Sequence, residues 1–307
     1  MKIAVLIPCF NEILTIGKVI NDFKETLPTA QIYVYDNNST DNTDKIALEH
    51  GAIVRYEYQQ GKGNVIRSMF RDIEADVYVL VDGDDTYPAS YVEEMIKPIV
   101  AGEADMVIGD RLSNGSYTSE NKRQFHDFGN RLVRNLINNL FRTSLKDIMS
   151  GYRVFNKIFV KNMPISSSGF EIETEINLHA LDKNFRIKEI PIQYRDRPNG
   201  SVSKLDTVND GIRVLKTIFR VFKDYKPFEF FLAFSGVFLF LGLLFGVPVI
   251  NEFIAKRYVF KIPSAILAVG CVLLSMSGFI CGLILDTIVR HHREDYEIMI
   301  KKAMNNL

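Results

Sequence analysis

The sequence predicts an α/β domain built on a mostly parallel sheet with flanking helices, followed by two membrane-spanning helices. Three observations carry this expectation. Between residues 1 and 110, short β-rich runs alternate with helical patterns. Clusters of Asn, Asp, Ser and Gly punctuate that alternation where strands should end. The stretches 228–250 and 262–285 are almost purely apolar, whereas residues 1–226 have the mixed charge of a soluble domain.

The strands fall at 2–7, 31–36, 52–56, 77–81 and 106–108, with helices at 15–26, 41–50, 62–74 and 90–101. Strands joined through helices pair in parallel, so both faces of the sheet should be covered and ligands should bind beyond the carboxyl ends. The opening MKIAVLIPCFNE reads as a buried strand, because polar Asn11 and Glu12 cut the apolar run short and no small-residue cleavage pattern follows. The chain is therefore expected to start in the cytosol.

A helix over the 23 residues 228–250 would be about 34 Å long, against a hydrocarbon core of about 30 Å. Glu229 at its start can snorkel, and Pro248 stands near its exit, where a proline can end a helix. Nine basic residues flank the pair of spans: Arg213, Lys216, Arg220, Lys223 and Lys226 before it, and Arg290, Arg293, Lys301 and Lys302 after it. The connecting loop has only Lys256, Arg257 and Lys261, which places both termini inside. Val208, Ile212, Leu215, Ile218, Phe219, Phe222 and Tyr225 recur at helical spacing, opposite the basic positions. They predict an amphipathic helix on the cytosolic membrane surface. The expected organisation is a cytosolic α/β domain over 1–203, this juxtamembrane helix over 204–226, a hairpin over 227–290 and a cytosolic tail over 291–307. Gly242 with Gly246, and Gly278 with Gly282, permit close helix packing within the hairpin or between protomers.

Formal net charge is zero, from 37 basic and 37 acidic residues, so no overall field points to nucleic acid. Cys9, Cys271 and Cys281 form neither a metal-spacing nor a disulfide framework, as suits a reducing compartment.

Three polar clusters follow strands one, two and four: Pro8-Cys9-Phe10-Asn11-Glu12, Asp36-Asn37-Asn38-Ser39-Thr40-Asp41 and Asp82-Gly83-Asp84-Asp85. Each alone is an ordinary cap or turn, but three on one rim indicate a site. No G-x-G-x-x-G follows strand one and no Walker-type loop is present, so dinucleotide and standard ATPase sites are unsupported. Gly61-Lys62-Gly63 is a tight turn into a helix whose N–H groups and lysine suit an anion. Asp82 and Asp84 at the end of a Val-Tyr-Val-Leu-Val strand suit a hard cation, Mg²⁺ or Mn²⁺, which typically completes its shell with substrate phosphates. In Gly169-Phe170-Glu171-Ile172-Glu173-Thr174-Glu175, which opens a helix running to about 183, Glu171 and Glu175 share a face, where like charges favour a bound partner such as sugar hydroxyls.

In this order PCFNE, DNNSTD, QGKGN, DGDD, Gly109-Asp110-Arg111, the Asp147 to Arg153 segment DIMSGYR, and Asp196-Arg197 through Ser203-Lys204 resemble the family-2 glycosyltransferases of the Rossmann-like GT-A fold. With two C-terminal spans, the chain is similar to the dolichol-phosphate mannose synthase and polyisoprenyl-phosphate glycosyltransferase branch. The resemblance implies that Pro8, Asn11, Glu12, Asp36 and Asn38 border the base and ribose of a nucleotide-diphosphate sugar, closed by Gly61, Lys62 and Gly63 and continued by Asp82 and Gly83. It makes Asp82 and Asp84 the metal pair, with Asp84 the surer ligand, and Asp84 and Asp147 the catalytic positions. Arg111, Arg131, Arg197, Ser203 and Lys204 then hold phosphates of donor or acceptor, in keeping with the fit of guanidinium to phosphate. Asp147 serves either as a base or as a positioning group, and a phosphate acceptor already anionic at neutral pH needs little deprotonation. The chain departs from many relatives at Asn37, where they are acidic, and in reading DGDDT where they have a DADL-type run with Gln or Ser, which leaves Asp85 or Thr86 as the third metal ligand.

The implied reaction is an inverting transfer of a hexose or N-acetylhexosamine, from a UDP-sugar ahead of GDP-mannose, to undecaprenyl or dolichyl phosphate. The implied location is a bacterial inner or plasma membrane, or the endoplasmic reticulum in a eukaryote. A homo-oligomer and a flippase partner are both compatible with it. Two rivals are weaker. A processive polysaccharide synthase carries a QxxRW motif and more spans, whereas this sequence has no tryptophan. A non-catalytic nucleotide-sugar-binding scaffold would not need Asp82, Asp84, Asp147, Arg111 and Arg197 together.

Overall fold

A computed structural model describes residues 1–113, 124–169, 171–195 and 219–305. Arg197, Ser203, Lys204 and residues 204–218 of the expected interface helix lie outside them. The chain divides into two compact units, Met1–Val214 with Met299–Leu307, and Leu215–Ile298.

The first unit is built on a seven-stranded sheet. In chain order its elements are β1 (Ile3–Cys9), α1 (Ile16–Thr26), β2 (Gln31–Asp36), α2 (Thr43–Glu49), β3 (Ile53–Tyr56), α3 (Lys62–Asp72), β4 (Val77–Leu80), a 3₁₀ turn (Ala89–Tyr91), α4 (Val92–Val100) and β5 (Met106–Asp110). There follow α5 (Gln124–Phe141), β6 (Arg153–Asn156), α6 (Lys157–Asn162), α7 (Ile172–Asp182) and β7 (Ile187–Pro191). Strand order is β3-β2-β1-β4-β6-β5-β7. Every pairing is parallel except those of β6, which runs antiparallel to β4 and β5. The five early strands stand where the sequence predicts them, each shifted by two residues at most at either end.

The two-residue period of the strands sorts their side chains to opposite faces. Val5, Ile7, Val34, Val79 and Val154 pack on one face against Ile16, Ile20 and Phe23 of α1 and Val92 and Met95 of α4. Leu6, Tyr35, Tyr78, Ile108 and Phe155 pack on the other against Ile66, Met69 and Phe70 of α3, Phe159 of α6 and Ile172 and Ile176 of α7. β6 and β7 were not among the expected strands, nor α5 and α6 among the expected helices. The four-residue β6 begins with an arginine, and β7 at the sheet edge, IKEIP, has adjacent Lys188 and Glu189 that break the two-residue apolar period.

The inversion of β6 matters for the site. Because it runs backwards, its first residue, Arg153, pairs with Leu80 near the end of β4 and with Ile108 of β5. The loop leading into β6 is thereby delivered to the same rim as the carboxyl ends of its parallel neighbours. Arg153 itself is fully buried. It donates to the carbonyls of Ser150, Ile148 and Glu173 and to Asn177 Oδ1, so it fastens that loop to α7. Burial pulls its pKa down to about 10.

The second unit holds a short helical segment at 219–225, the long helix α8 (Pro227–Lys256) and, as far as Ile298, the long helix α9 (Ile262–Asn305). Both are long and apolar enough to cross a membrane, and only 11% and 28% of their most apolar windows is buried within the protein, unlike the core helix of a soluble domain. Pro248 does not end α8, which continues two further turns to a left-handed cap at Arg257. The connection is accordingly shorter than the sequence suggests, and α9 runs on far beyond its apolar stretch. The glycine pairs face the inside of this hairpin: a Cβ on Gly242 would lie 2.9 Å from Val272, and one on Gly282 would lie 3.0 Å from Phe231. Ser235 Oγ donates to the Ser275 carbonyl at 2.8 Å, a buried polar tie between the helices.

Candidate active site

The loops after β1, β2 and β4 meet on one rim, and each contains a residue in the left-handed region: Asn11 (φ 53°), Asn38 (φ 65°) and Asp85 (φ 57°). Asn and Asp tolerate this conformation better than other side-chain-bearing residues, which accounts for their presence in the sequence clusters. The first two loops are laced together. The Asn11 and Glu12 amides donate to the hydroxyls of Ser39 and Thr43, both at 2.9 Å, and the Thr40 amide donates to Asn11 Oδ1 at 2.8 Å. Pro8, in β1, and Glu12 are half-buried on this rim. Asp36 is 3% exposed; its Oδ2 accepts from the Ser39 amide, while Oδ1 is buried and meets no hydrogen-bond donor among the described residues.

Asn37 explains its own departure from the acidic pattern. Its amide nitrogen donates to the carbonyls of Glu57 and Gln59 at 2.7 and 2.9 Å, and its Oδ1 accepts from the Gly61 amide at 2.7 Å. A carboxylate could not donate those two bonds. The side chain therefore ties the β2 loop to the Gly61-Lys62-Gly63 turn, with the exposed Asn38 adding a bond to the Tyr58 carbonyl.

That turn is built against the segment 166–169. Gly61 has φ 132°, and a Cβ on Gly61 or Gly63 would collide with the carbonyl oxygens of Ser168 and Ser167 respectively. The Gly63 amide donates to Ser168 O at 3.0 Å. Lys62 then projects between two carboxylates, its Nζ 2.6 Å from Asp82 Oδ1 and 2.6 Å from Glu173 Oε1. Burial pulls the Lys62 pKa down, but the attraction of Asp82 and Glu173 outweighs it and leaves the ammonium held well above the ordinary lysine range.

Asp84 is 4% exposed, and its Oδ1 accepts from the Thr86 hydroxyl at 2.6 Å. Asp85 turns instead to Lys18, at 2.7 Å, and to Arg195, at 3.5 Å, so its carboxylate is already committed to cations. Gly83, between the two aspartates, accepts from the buried Thr15 hydroxyl at 2.7 Å. Among the described residues no three His, Cys, Asp or Glu side chains converge as a metal centre. The donor set at the end of β4 is thus two hard carboxylates, which fits Mg²⁺ or Mn²⁺ sharing its remaining positions with nucleotide oxygens and water.

Asp147 and Arg111 form a closed pair. The Arg111 amide and Nε donate to Asp147 Oδ2 at 3.0 and 2.7 Å, and Nη2 donates to Oδ1 at 2.9 Å, where the Met149 amide also donates at 3.3 Å. Burial pushes the Asp147 carboxyl upward, but the Arg111 guanidinium outweighs it and holds the group below the ordinary aspartate range. Asp147 is placed in turn by Glu189, whose carboxylate accepts from the Lys146 and Asp147 amides at 2.8 and 2.9 Å. Gly151 of the same loop lies so close to Asp82 that any side chain there would strike its Oδ2, and its amide donates to Tyr87 Oη at 2.9 Å. The loop into β6 therefore touches the β4 aspartate directly. Arg131 stands exposed on α5.

Sequence reasoning did not single out Glu173, Glu189 or Tyr87. Glu175, expected to offer its carboxylate to a ligand, accepts instead from the Ser166 and Ser167 amides, both at 2.8 Å.

The carboxyl rim of the parallel strands thus gathers two aspartates, a buried lysine and a clamped guanidinium, on the side of the sheet where ligands of such folds bind. The model of glycosyl transferase family 2 matches residues 4–163. The chain is 30% identical to the glycosyltransferase AglJ of Haloferax volcanii, over 95% of each chain. It is 26% identical to the dolichyl-phosphate beta-glucosyltransferase of Saccharomyces cerevisiae, over 70% of this chain and 72% of that one. This chain belongs to glycosyl transferase family 2 and is a glycosyltransferase. Its fold is that of the glucosyl-3-phosphoglycerate synthase of Mycobacterium tuberculosis, crystallised with Mn²⁺, uridine diphosphate and glucosyl-3-phosphoglycerate. The TM-score is 0.58 at 18% identity, covering 72% of this chain and 78% of the other.

Proposed function

We propose that this enzyme transfers a hexose or N-acetylhexosamine from a UDP-sugar to a polyisoprenyl phosphate by one inverting displacement. The observation that carries the proposal is the pairing, in one chain, of a rim with Asp82, Asp84 and Lys62 and two long apolar helices that leave their apolar surface uncovered by protein. An enzyme whose acceptor is a lipid gains from residing where that lipid is concentrated. The names of the similar yeast and archaeal proteins, dolichyl-phosphate beta-glucosyltransferase and dolichyl-phosphate hexose transferase, support a lipid-phosphate acceptor.

Asp36, with an unpartnered buried oxygen, accepts a hydrogen bond from the base or ribose, beside Pro8, Asn11, Glu12 and Asn38. Asp82 and Asp84 hold Mg²⁺ or Mn²⁺, which supplies stabilisation of the leaving diphosphate's charge. Asp147 acts as a positioning residue, since both its oxygens are occupied and its proton affinity is low. It presents Arg111 to a phosphate, the role also assigned to Arg131, Arg197, Ser203 and Lys204, and the acceptor phosphate attacks the anomeric carbon without a protein base. Both termini lie in the cytosol, on the distribution of basic residues.

The test is purified full-length protein in nanodiscs with undecaprenyl or dolichyl phosphate and a panel of UDP- and GDP-sugars, with extraction of the lipid product. A UDP-sugar should give a lipid-linked sugar whose formation D84N slows on the order of 10²–10³-fold and chelator abolishes. Full product formation in excess chelator, or transfer to soluble acceptors alone, would overturn the reading.

A further inference from the structure

Lys62 is shared by Asp82 and Glu173 at equal distances of 2.6 Å, with lysine and glutamate side chains 11% and 9% exposed. One ammonium thus serves two carboxylates, one of which belongs to the aspartate pair read above as the metal site. Its backbone is held at the Gly61-Lys62-Gly63 turn by the Ser168 contact and by Asn37. The abutting segment is pinned in turn by Arg67, which donates to the carbonyls of Ile165 and Ser167, and by Glu175. Any movement of the charge is therefore confined to the lysine stem. A lysine is suited to this: it is a compact charge on a flexible chain, able to leave one oxygen for another without a geometric penalty, unlike a fork-shaped guanidinium.

We propose that Lys62 is a built-in counter-ion that occupies Asp82 in the metal-free enzyme and yields it to the divalent cation, with Glu173 as the positioning residue that keeps the ammonium in place meanwhile. A divalent ion bound by Asp82 repels the ammonium at close range, while Glu173 retains it a few ångströms away, facing the incoming diphosphate. The exchange keeps Asp82 and Glu173 from facing each other without a counter-ion when the divalent ion is absent. It also makes metal and nucleotide binding mutually reinforcing, because the displaced ammonium becomes a phosphate ligand. This inference rests on Asp82 and Asp84 being the metal ligands.

The experiment is Mn²⁺ titration of the full-length detergent-solubilised protein without nucleotide, following free Mn²⁺ by electron paramagnetic resonance. K62M removes the competitor and should bind Mn²⁺ about ten-fold more tightly, while UDP binding to the Mn²⁺-loaded protein weakens. E173Q leaves the ammonium wholly to Asp82 and should bind Mn²⁺ several-fold more weakly; it also serves as the second variant if K62M does not fold. A merely structural role would move both variants in the same direction. Mn²⁺ affinity unchanged in E173Q, or reduced in a folded K62M, sinks the exchange. Persistence of Mn²⁺ binding in D84N sinks the metal assignment itself, so the two failures are distinguishable.

Discussion

The rim holds two ionic arrangements that differ in kind. In one, Arg111 and Asp147 saturate each other: three donors of Arg111 meet two oxygens of Asp147, and both side chains are nearly inaccessible. In the other, a single ammonium is divided between Asp82 and Glu173, with Asp82 the more open of the two carboxylates. A saturated fork resists change, and a divided point charge invites it. On the proposed reading, the first arrangement is the rigid part of the site, which aims a guanidinium, and the second is the part that rearranges when a cation and diphosphate arrive.

The comparison breaks first at Asp84. D84N should cost on the order of 10²–10³-fold in turnover, the usual scale for losing a main electrostatic stabiliser, while thermal unfolding stays close to wild type. D147N should show the opposite balance. It leaves Arg111 buried without its counter-charge, so stability should fall by about 3–5 kcal/mol, read by denaturant unfolding of detergent-solubilised protein. A larger stability loss in D84N than in D147N would reverse the assignment of rigid and exchangeable parts.

Acid sensitivity sharpens the same contrast. The Asp147 pKa is lowered in the folded protein, so its contribution is complete above the unfolded value of about 3.9 and is lost as pH falls through the folded value. Below about pH 4 the wild-type melting temperature should drop more steeply than that of D147N. Parallel curves would show that the pair contributes nothing to the acid limb. N37D, which surrenders the two bonds to the Glu57 and Gln59 carbonyls, should destabilise by about 1–3 kcal/mol and raise the KM for the nucleotide sugar without altering kcat. Smallest of all, S235A should cost the hairpin about 0.6 kcal/mol, the typical worth of a hydrogen bond between membrane helices, with activity untouched.

The first five strands were legible because Val, Ile and Tyr recur in short runs between Asn-, Asp- and Gly-rich turns, a pattern set by local backbone preferences. β6 and β7 were not. RVFN is too short to establish a period, and its buried arginine is stabilised by partners from Ser150 and Asn177 that no local pattern announces. The clusters around Asn11, Asp36 and Asp84 were legible as rim loops since their residue types are those that such loops demand. Glu173 was hidden among three glutamates in one helical turn, where the dipole alone accounts for acidic residues. Only the fold reveals that Glu173 meets Lys62 while its neighbour Glu175 is spent on Ser166 and Ser167.

The reversed strand β6 leaves a final mark on the molecule. Since β5 ends at Asp110 and β6 starts at Arg153 on the same side of the sheet, everything between them departs from and returns to one place. The stretch is an excursion whose two feet are planted beside each other, so its length and composition can diverge while the sheet beneath keeps its register.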